Sequence, residues 1–292
     1  MRYAVADTGS NTIRLGVYDY ENGQLKQLCN TAVFANLAGF IHDGVLTPDG
    51  ICAAEAAIKK HQETAAEFGC RLNVFATAAI RNAKNTEEIC NEIKMRTGAA
   101  VDVLTGEEEA LFSFAGAAED FPCADGVMAD VGGGSSEVIV FSNKQPISTL
   151  SVPWGSLKAY KAFVSGSLPT EEEICAIQEA IARAFAAQPR FCGVVRQNLC
   201  IVGGGVRAST KLAKIFLNET ALTVQAVNKM LKMITENPEH SKNVIDQTTP
   251  TRALTIAPAM AIYSAVGAQF ASEQIFVSDK GIKEGYILKK LL

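Results

Sequence analysis

Acidic residues set just before glycine-rich turns recur in this chain, and these residue types suit the binding and cleavage of a phosphate anhydride. Asp7-Thr8-Gly9-Ser10-Asn11 and Asp130-Val131-Gly132-Gly133-Gly134-Ser135 are the two examples. After a strand, such a turn bends so that successive backbone N–H groups converge into an anion-binding nest that needs no side-chain charge. Facing each other, two nests could clamp a row of phosphates, with Gly9, Ser10 and Asn11 on one side and Gly132, Gly133, Gly134 and Ser135 on the other. The aspartates would lie where Mg²⁺ neutralises phosphate charge, since that ion favours one or two carboxylates plus waters and phosphate oxygens. Either turn alone is more simply an Asp-capped tight turn. The matched pair favours the anion site.

A third turn, Gly203-Gly204-Gly205-Val206-Arg207, follows the apolar run Leu199–Val202 and precedes a helix. The helix dipole would add to anion binding at Gly204, and Arg207 in the first turn would face either solvent or a ligand. Hydrolysis also needs a water aligned and deprotonated against the terminal phosphorus. Glu107-Glu108-Glu109, after Thr105-Gly106, offers carboxylates for that task. An acidic triplet at a helix start ordinarily just complements the dipole, and the residues alone favour that plainer role. Arg81, following the strand Leu72–Thr77, suits a phosphate oxygen and the surface equally well.

The elements that must position these residues are laid out twice. Superposing Asp7 on Asp130 carries Ile13-Arg14-Leu15-Gly16-Val17-Tyr18 onto Ser136-Glu137-Val138-Ile139-Val140-Phe141 without a gap, both strand-like in their alternation. Turn signals follow at Glu21-Asn22-Gly23 and Ser142-Asn143-Lys144, with another strand after each. Further strands are predicted at Val101–Leu104 and Gln274–Val277. Thr47-Pro48 opens a helix running to about Phe68, Thr86 opens one ending near Gly98, and Thr170-Glu171-Glu172-Glu173 is a capping box for one reaching Ala187. Strand pairs first and βα units after, done twice, predict an α/β protein of two lobes, 1–115 and 116–292, with the last helix, 284–292, packing back on the first.

The 292 residues are 48% hydrophobic and 20% charged, as in an ordinary globular protein. A formal net charge of −4 supplies no global basic field to draw in nucleic acid or an anionic membrane, so a phosphorylated ligand must be held by local devices. The N-terminal apolar run is broken at Asp7 and does not read as a signal peptide. Residues 253–271 come nearest to a membrane span, but Pro258 and small residues suit a buried helix better. The eight cysteines are scattered without a CxxC pair and read as reduced core thiols of a cytoplasmic protein. His42, His61 and His240 lack the spacing of a zinc site.

Five blocks in order together resemble the exopolyphosphatase and guanosine pentaphosphate phosphohydrolase (Ppx/GppA) family in its short, two-domain form: Ala6–Leu15, Ala76–Asn85, Thr105–Ala110, Asp130–Glu137 and Val277–Gly285. The resemblance implies two actin-like (ribonuclease H-like, ASKHA) lobes with the active site in the cleft between them. It implies an exophosphatase in which water attacks the terminal phosphate of inorganic polyphosphate or guanosine pentaphosphate, with Mg²⁺ or another divalent cation and with K⁺ left open. By motif position the general base falls on Glu108, the phosphate-binding arginine on Arg81, and the metal carboxylates on Asp130 and Glu137, with Asp7 as helper. The phosphate loops fall on Gly9-Ser10-Asn11 and Gly132-Gly133-Gly134-Ser135.

Departures stand at Thr8, at Thr31–Leu37 in place of a basic RLG-like segment, at Gly205 where a threonine is usual, and at Leu254 where an RAD-like stretch has its acidic residue. They leave the base and metal carboxylates in place and bear on substrate choice. Two other readings use the same fold: an ATP-dependent kinase, for which no acceptor base or adenosine pocket is evident, and a catalytically silent sensor of polyphosphate or guanosine tetra- and pentaphosphate. Retention of Glu108, Asp130, Glu137 and Arg81 together argues against the sensor. Phe34, Leu37, Phe40 and Ile41 offer a homodimer face, although core roles suit them better. The preference between polyphosphate and guanosine pentaphosphate, and the chain length accepted, stay open.

Overall fold

The computed structural model describes residues 1–292, which divide into two compact units: Met1–Phe112 with Ile282–Leu292, and Ser113–Gly281. In the first, β1 (Arg2–Thr8), β2 (Thr12–Glu21) and β3 (Gln24–Phe34) form a meander. A short hairpin, β4 (Ile41–His42) and β5 (Val45–Leu46), leads to α1 (Pro48–Glu67), β6 (Leu72–Ala76), α2 (Ala78–Arg81), α3 (Thr86–Thr97), β7 (Val101–Val103) and α4 (Gly106–Ala117). The second unit repeats the plan with β8 (Gly126–Val131), β9 (Ser136–Ser142) and β10 (Gln145–Val152). Then come α5 (Ser156–Phe163), α6 (Glu171–Ala186), β11 (Asn198–Val202), α7 (Gly204–Leu217), α8 (Val224–Glu236), α9 (Pro238–Thr248), α10 (Ile256–Phe270) and β12 (Gln274–Ser278). The chain re-enters the first unit through α11 (Ile282–Tyr286) and a π-helical turn, Ile287–Leu291.

The two five-stranded sheets have one topology. Their orders are β3-β2-β1-β6-β7 and β10-β9-β8-β11-β12, so the duplicated strand pairs occupy equivalent places. The local causes lie in the sequence. Asn22-Gly23 closes the first hairpin with both residues at positive φ (52° and 79°), and Asn143-Lys144 does the same in the second (49° and 54°), the primed turn that suits strand twist. Thr47 caps α1 through a hydrogen bond from Gly50 N at 3.3 Å, with Pro48 in the first turn. Thr170 and Glu173 form the reciprocal capping box of α6. Gly98 ends α3 at φ 71°.

The middle of each central strand is apolar on both faces, as suits a strand that is buried on both sides. Ala4, Val5 and Ala6 of β1 and Val127, Met128 and Ala129 of β8 are fully buried. In the first unit Ala4, Ala6, Ile13 and Leu15 pack with Ile51, Ile58, Ile89 and Ile93 of α1 and α3. The opposite face packs Val5, Tyr18, Phe75, Leu104 and Phe112 with Tyr286 and Ile287. The Phe75 and Tyr286 rings stack at 4.7 Å, and Tyr18 Oη donates to Glu284 Oε1 at 2.6 Å. In the second unit the sheet is packed with α6, α7, α8 and α10. Twelve of the fifteen residues of α10 are buried, which accounts for its near-membrane hydropathy; no helix is long and apolar enough to cross a membrane.

Some expectations are corrected. The cysteines are not core thiols as a group: only Cys200 is buried, while Cys52 and Cys175 are exposed on the solvent sides of α1 and α6 and Cys192 is exposed in a turn. Helices α5, α8 and α9 carry no mark in the sequence reading above. Leu37 is buried, Phe40 and Ile41 are partly covered, and Phe34 is 69% exposed, so a core role holds for Leu37 but not for Phe34.

Candidate active site

In the first unit β1, β6 and β7 run parallel, so their carboxyl ends share one rim, the place where open α/β sheets bind ligands. Asp7-Thr8 end β1, Thr77 and α2 follow β6, and Leu104–Glu109 follow β7. Arg81, the last residue of α2, donates from Nη1 to Leu104 O at 3.1 Å and to Glu109 Oε2 at 2.5 Å. The side chains of this ion pair are 17% and 11% exposed.

The glutamate expected as the base is otherwise engaged. Thr105 N and Oγ1 donate to Glu108 Oε2 at 3.0 and 3.1 Å, and Glu108 N donates back to Thr105 Oγ1 at 3.1 Å. That is the reciprocal capping box of a helix start. Lys290 Nζ stands 3.7 Å from the other Glu108 oxygen. Successive residues on a helix point about 100° apart, because 3.6 residues complete a turn. The carboxylate turned to Arg81 is therefore the next one, Glu109.

The two glycine turns are alike in atomic detail. Gly9 N donates to Thr12 O at 3.3 Å, and Gly132 N donates to Ser135 O at 3.0 Å. The equivalent glycines thus spend their amides within the turn, and the amides after them, of Ser10-Asn11 and Gly133-Gly134-Ser135, are left for a ligand. Beside the first turn Thr8 Oγ1 is buried with no hydrogen-bond partner in the protein.

The charges beside the turns differ. Asp7 faces Arg14 across the β1–β2 ladder, whereas Asp130 faces Glu137 across β8–β9. Directly opposed residues lie on one face with Cβ atoms about 4.5–5.5 Å apart. Glu137 is only 1% exposed and accepts from Ser151 Oγ at 2.9 Å, and Ser113 Oγ donates to Asp130. No group of three or more His, Cys, Asp or Glu side chains is arranged to hold a metal. A carboxylate pair on one face nevertheless matches the one or two acidic ligands Mg²⁺ takes.

The third turn lies at the equivalent rim of the second unit, where β8, β11 and β12 run parallel. Gly203 has φ 97°, a conformation that strains any side chain-bearing residue, and α7 starts at Gly204. The Arg252 guanidinium packs where a Gly204 side chain would stand. A Cβ on Gly205 would lie 2.5 Å from Tyr263 Oη, so a threonine there would collide with α10. Tyr263 is fully buried and its hydroxyl has no partner; burial pushes its ionisation upward and keeps it a proton donor. Arg207 reaches Asp279 at 3.3 Å.

Residues 17–292 match the model of the Ppx/GppA phosphatase family. The chain belongs to that family. Among curated relatives, Exopolyphosphatase 1 of Mycobacterium tuberculosis is 23% identical over 305 residues, covering 100% of this chain and 88% of the relative. Exopolyphosphatase 1 of Mycobacterium leprae is 24% identical over 313 residues, covering 100% and 90%. The crystal structure of the Aquifex aeolicus Ppx/GppA family member superposes with a TM-score of 0.83 at 25% identity, covering 100% of this chain and 97% of that one. An exopolyphosphatase from Cytophaga hutchinsonii gives 0.88 at 21%, covering 100% and 98%, which speaks for the fold. The α/β fold of two actin-like lobes expected from the sequence is the fold of this Ppx/GppA phosphatase.

Within each unit of this Ppx/GppA member the structure gathers the expected residues at the strand ends: Asp7, Gly9, Ser10, Asn11 and Arg81 in the first, and Asp130, Gly132, Gly133, Gly134, Ser135, Glu137, Gly204 and Arg207 in the second. It adds four that the sequence reading did not assign. Glu109 and Arg14 lie within the motifs above; the ion pair with Arg81 singles out Glu109, and the ladder register singles out Arg14. Arg252 and Tyr263 reach the third turn from far along the chain, with no local signal.

Proposed function

We propose that this phosphatase removes terminal phosphates one at a time from inorganic polyphosphate, with Glu109 as the base that activates water. The observation that carries this is the largely buried Arg81–Glu109 ion pair at the carboxyl rim of β1, β6 and β7. The exopolyphosphatase relatives, aligned over the whole chain, support the substrate class.

Glu109 takes a proton as the water oxygen bonds to the terminal phosphorus. The bridging P–O bond breaks, its electron pair leaves on the shortened chain, and orthophosphate is released. Arg81 orients Glu109 and offers its remaining N–H groups to a phosphate oxygen, a fork suited to that geometry. In the first unit the amides of Ser10 and Asn11, and in the second unit those of Gly133, Gly134 and Ser135 with Gly204 and Arg207, would each offer donors to phosphate oxygens without a basic field. Asp130 and Glu137 would hold Mg²⁺, which when bound supplies charge neutralisation for the phosphates. Asp7, opposite Arg14, serves the turn more than the metal.

The test is phosphate release from long-chain polyphosphate by wild type and Glu109→Gln. Loss of turnover with polyphosphate binding retained supports the assignment; undiminished turnover sinks it. Running tripolyphosphate and guanosine pentaphosphate alongside ranks the substrates, and phosphate transfer to an acceptor in place of water would favour a kinase.

A further inference from the structure

The second unit carries a groove of about 510 Å³, of which only Arg207 belongs to the site described above. One wall is α7, presenting Arg207, Lys211 and Lys214; the other is formed by β12 at Phe276 and Val277, with Asp279 also lining the groove. Residues four and three apart share a helix face, and 1.5 Å of rise per residue spreads this row over ~10 Å. Arg207 is paired with Asp279, but Lys211 and Lys214 meet no carboxylate. The row starts three residues after Gly204, so it continues from the third glycine turn down the flank of the sheet.

The facing strand adds neutral donors. β12 is the outermost strand of its sheet. Ile275 N donates outward to Leu222 O at 3.2 Å. Val277, two residues on, therefore directs its N–H to the same outer edge, and its side chain is 36% exposed. Like charges on one helix face repel, which makes the uncompensated pair Lys211 and Lys214 suited to an anionic occupant. Three cations in a line and an edge amide match a linear polyanion. Thr210 and Thr220 also line the groove and add neutral hydroxyls.

We propose that this groove is a second binding track for the distal part of a polyphosphate chain, so that α7 sets the preference for long chains. The inference rests on the polyphosphate reading of the active site. It adds a site the catalytic turns do not include.

The experiment uses Lys211→Glu/Lys214→Glu, with Lys211→Ala/Lys214→Ala as a milder second variant that keeps the fold. KM and kcat are measured on long-chain polyphosphate, tripolyphosphate and guanosine pentaphosphate over a salt series. By analogy with other linear polyanions, the long-chain KM should rise about tenfold and the log–log salt slope flatten by ~1–2. Tripolyphosphate parameters should stay within about twofold of wild type. An unchanged long-chain KM, an equal loss on the long and short chains, or a loss confined to guanosine pentaphosphate overturns the proposal. Should wild type cleave none of these, the catalytic reading fails by itself. Equilibrium binding of long-chain polyphosphate to the wild-type and lysine-substituted proteins then decides the groove: weaker binding in the variants sustains it, equal binding overturns it.

Discussion

Asp130 and Glu137 stand directly opposite each other on neighbouring strands, and the equivalent places of the first unit are held by Asp7 and Arg14. The duplication has kept the positions and reversed one charge. A double carboxylate attracts a divalent cation, while an Asp opposite an Arg does not need one.

The first prediction follows from that asymmetry. Asp130→Asn and Glu137→Gln should each raise the Mg²⁺ concentration for half-maximal activity by about 10–100-fold, the usual cost of disturbing a metal site. Asp7→Asn should lower the rate with little change in that midpoint. A Mg²⁺ titration of phosphate release reads both, and an equal shift for Asp7→Asn would contradict the assignment.

The neighbouring glutamates should separate cleanly. Glu109→Gln should lower kcat by about 10²–10⁴, the range of a general base. Glu108→Ala should cost ~0.5–2 kcal/mol of stability as a lost cap contact and leave kcat within a few-fold. Urea unfolding and single-turnover kinetics on the same preparations distinguish the two.

The third turn allows a cycle. Gly205→Thr should destabilise by about 1–3 kcal/mol through overpacking against the Tyr263 hydroxyl. Tyr263→Phe should be neutral or stabilising in the ligand-free protein, because an orphaned buried hydroxyl costs ~1–3 kcal/mol. The double variant should therefore recover part of the Gly205→Thr loss, a coupling of about 0.5 kcal/mol or more. Strict additivity would show that the two groups do not meet.

Much of this arrangement was written locally, and the exceptions have physical causes. Thr47-Pro48, Gly98 and the Thr170–Glu173 box act within one helical turn and could be read directly. So could the paired strands, whose alternation is set by the pleat. The choice between Glu108 and Glu109 rested on motif position, although Thr105-x-x-Glu108 is itself a capping signature that could have decided it. Arg252 and Tyr263 were invisible for a different reason. Only the packing of α10 brings them to Gly204 and Gly205, and no local spacing encodes that approach.

His61 gives the fold a defined acid response. Its ring is buried on α1, and Nε2 lies 2.9 Å from Ile13 O of β2. Burial holds its pKa below the ordinary 6.5. The unfolded chain then binds the proton first, so this contribution is intact above pH about 6.5 and is lost as pH falls toward the lower folded value. Urea unfolding at pH 7.5 and 5.5 should show wild type weakening more than His61→Gln, whose lower stability should change less over the interval. Parallel pH dependence in the two proteins would remove His61 as the cause.

The bond from Tyr18 to Glu284 joins β2 to a segment reached only after the whole second unit has been threaded. On the ribosome the first sheet must therefore wait, with Val5, Phe75 and Leu104 uncovered, until Tyr286 and Ile287 arrive. At ~5–20 residues per second that delay is roughly ten to forty seconds. During this interval the nascent first half presents a greasy face that a chaperone would recognise, while the inserted second half already has all of its own chain.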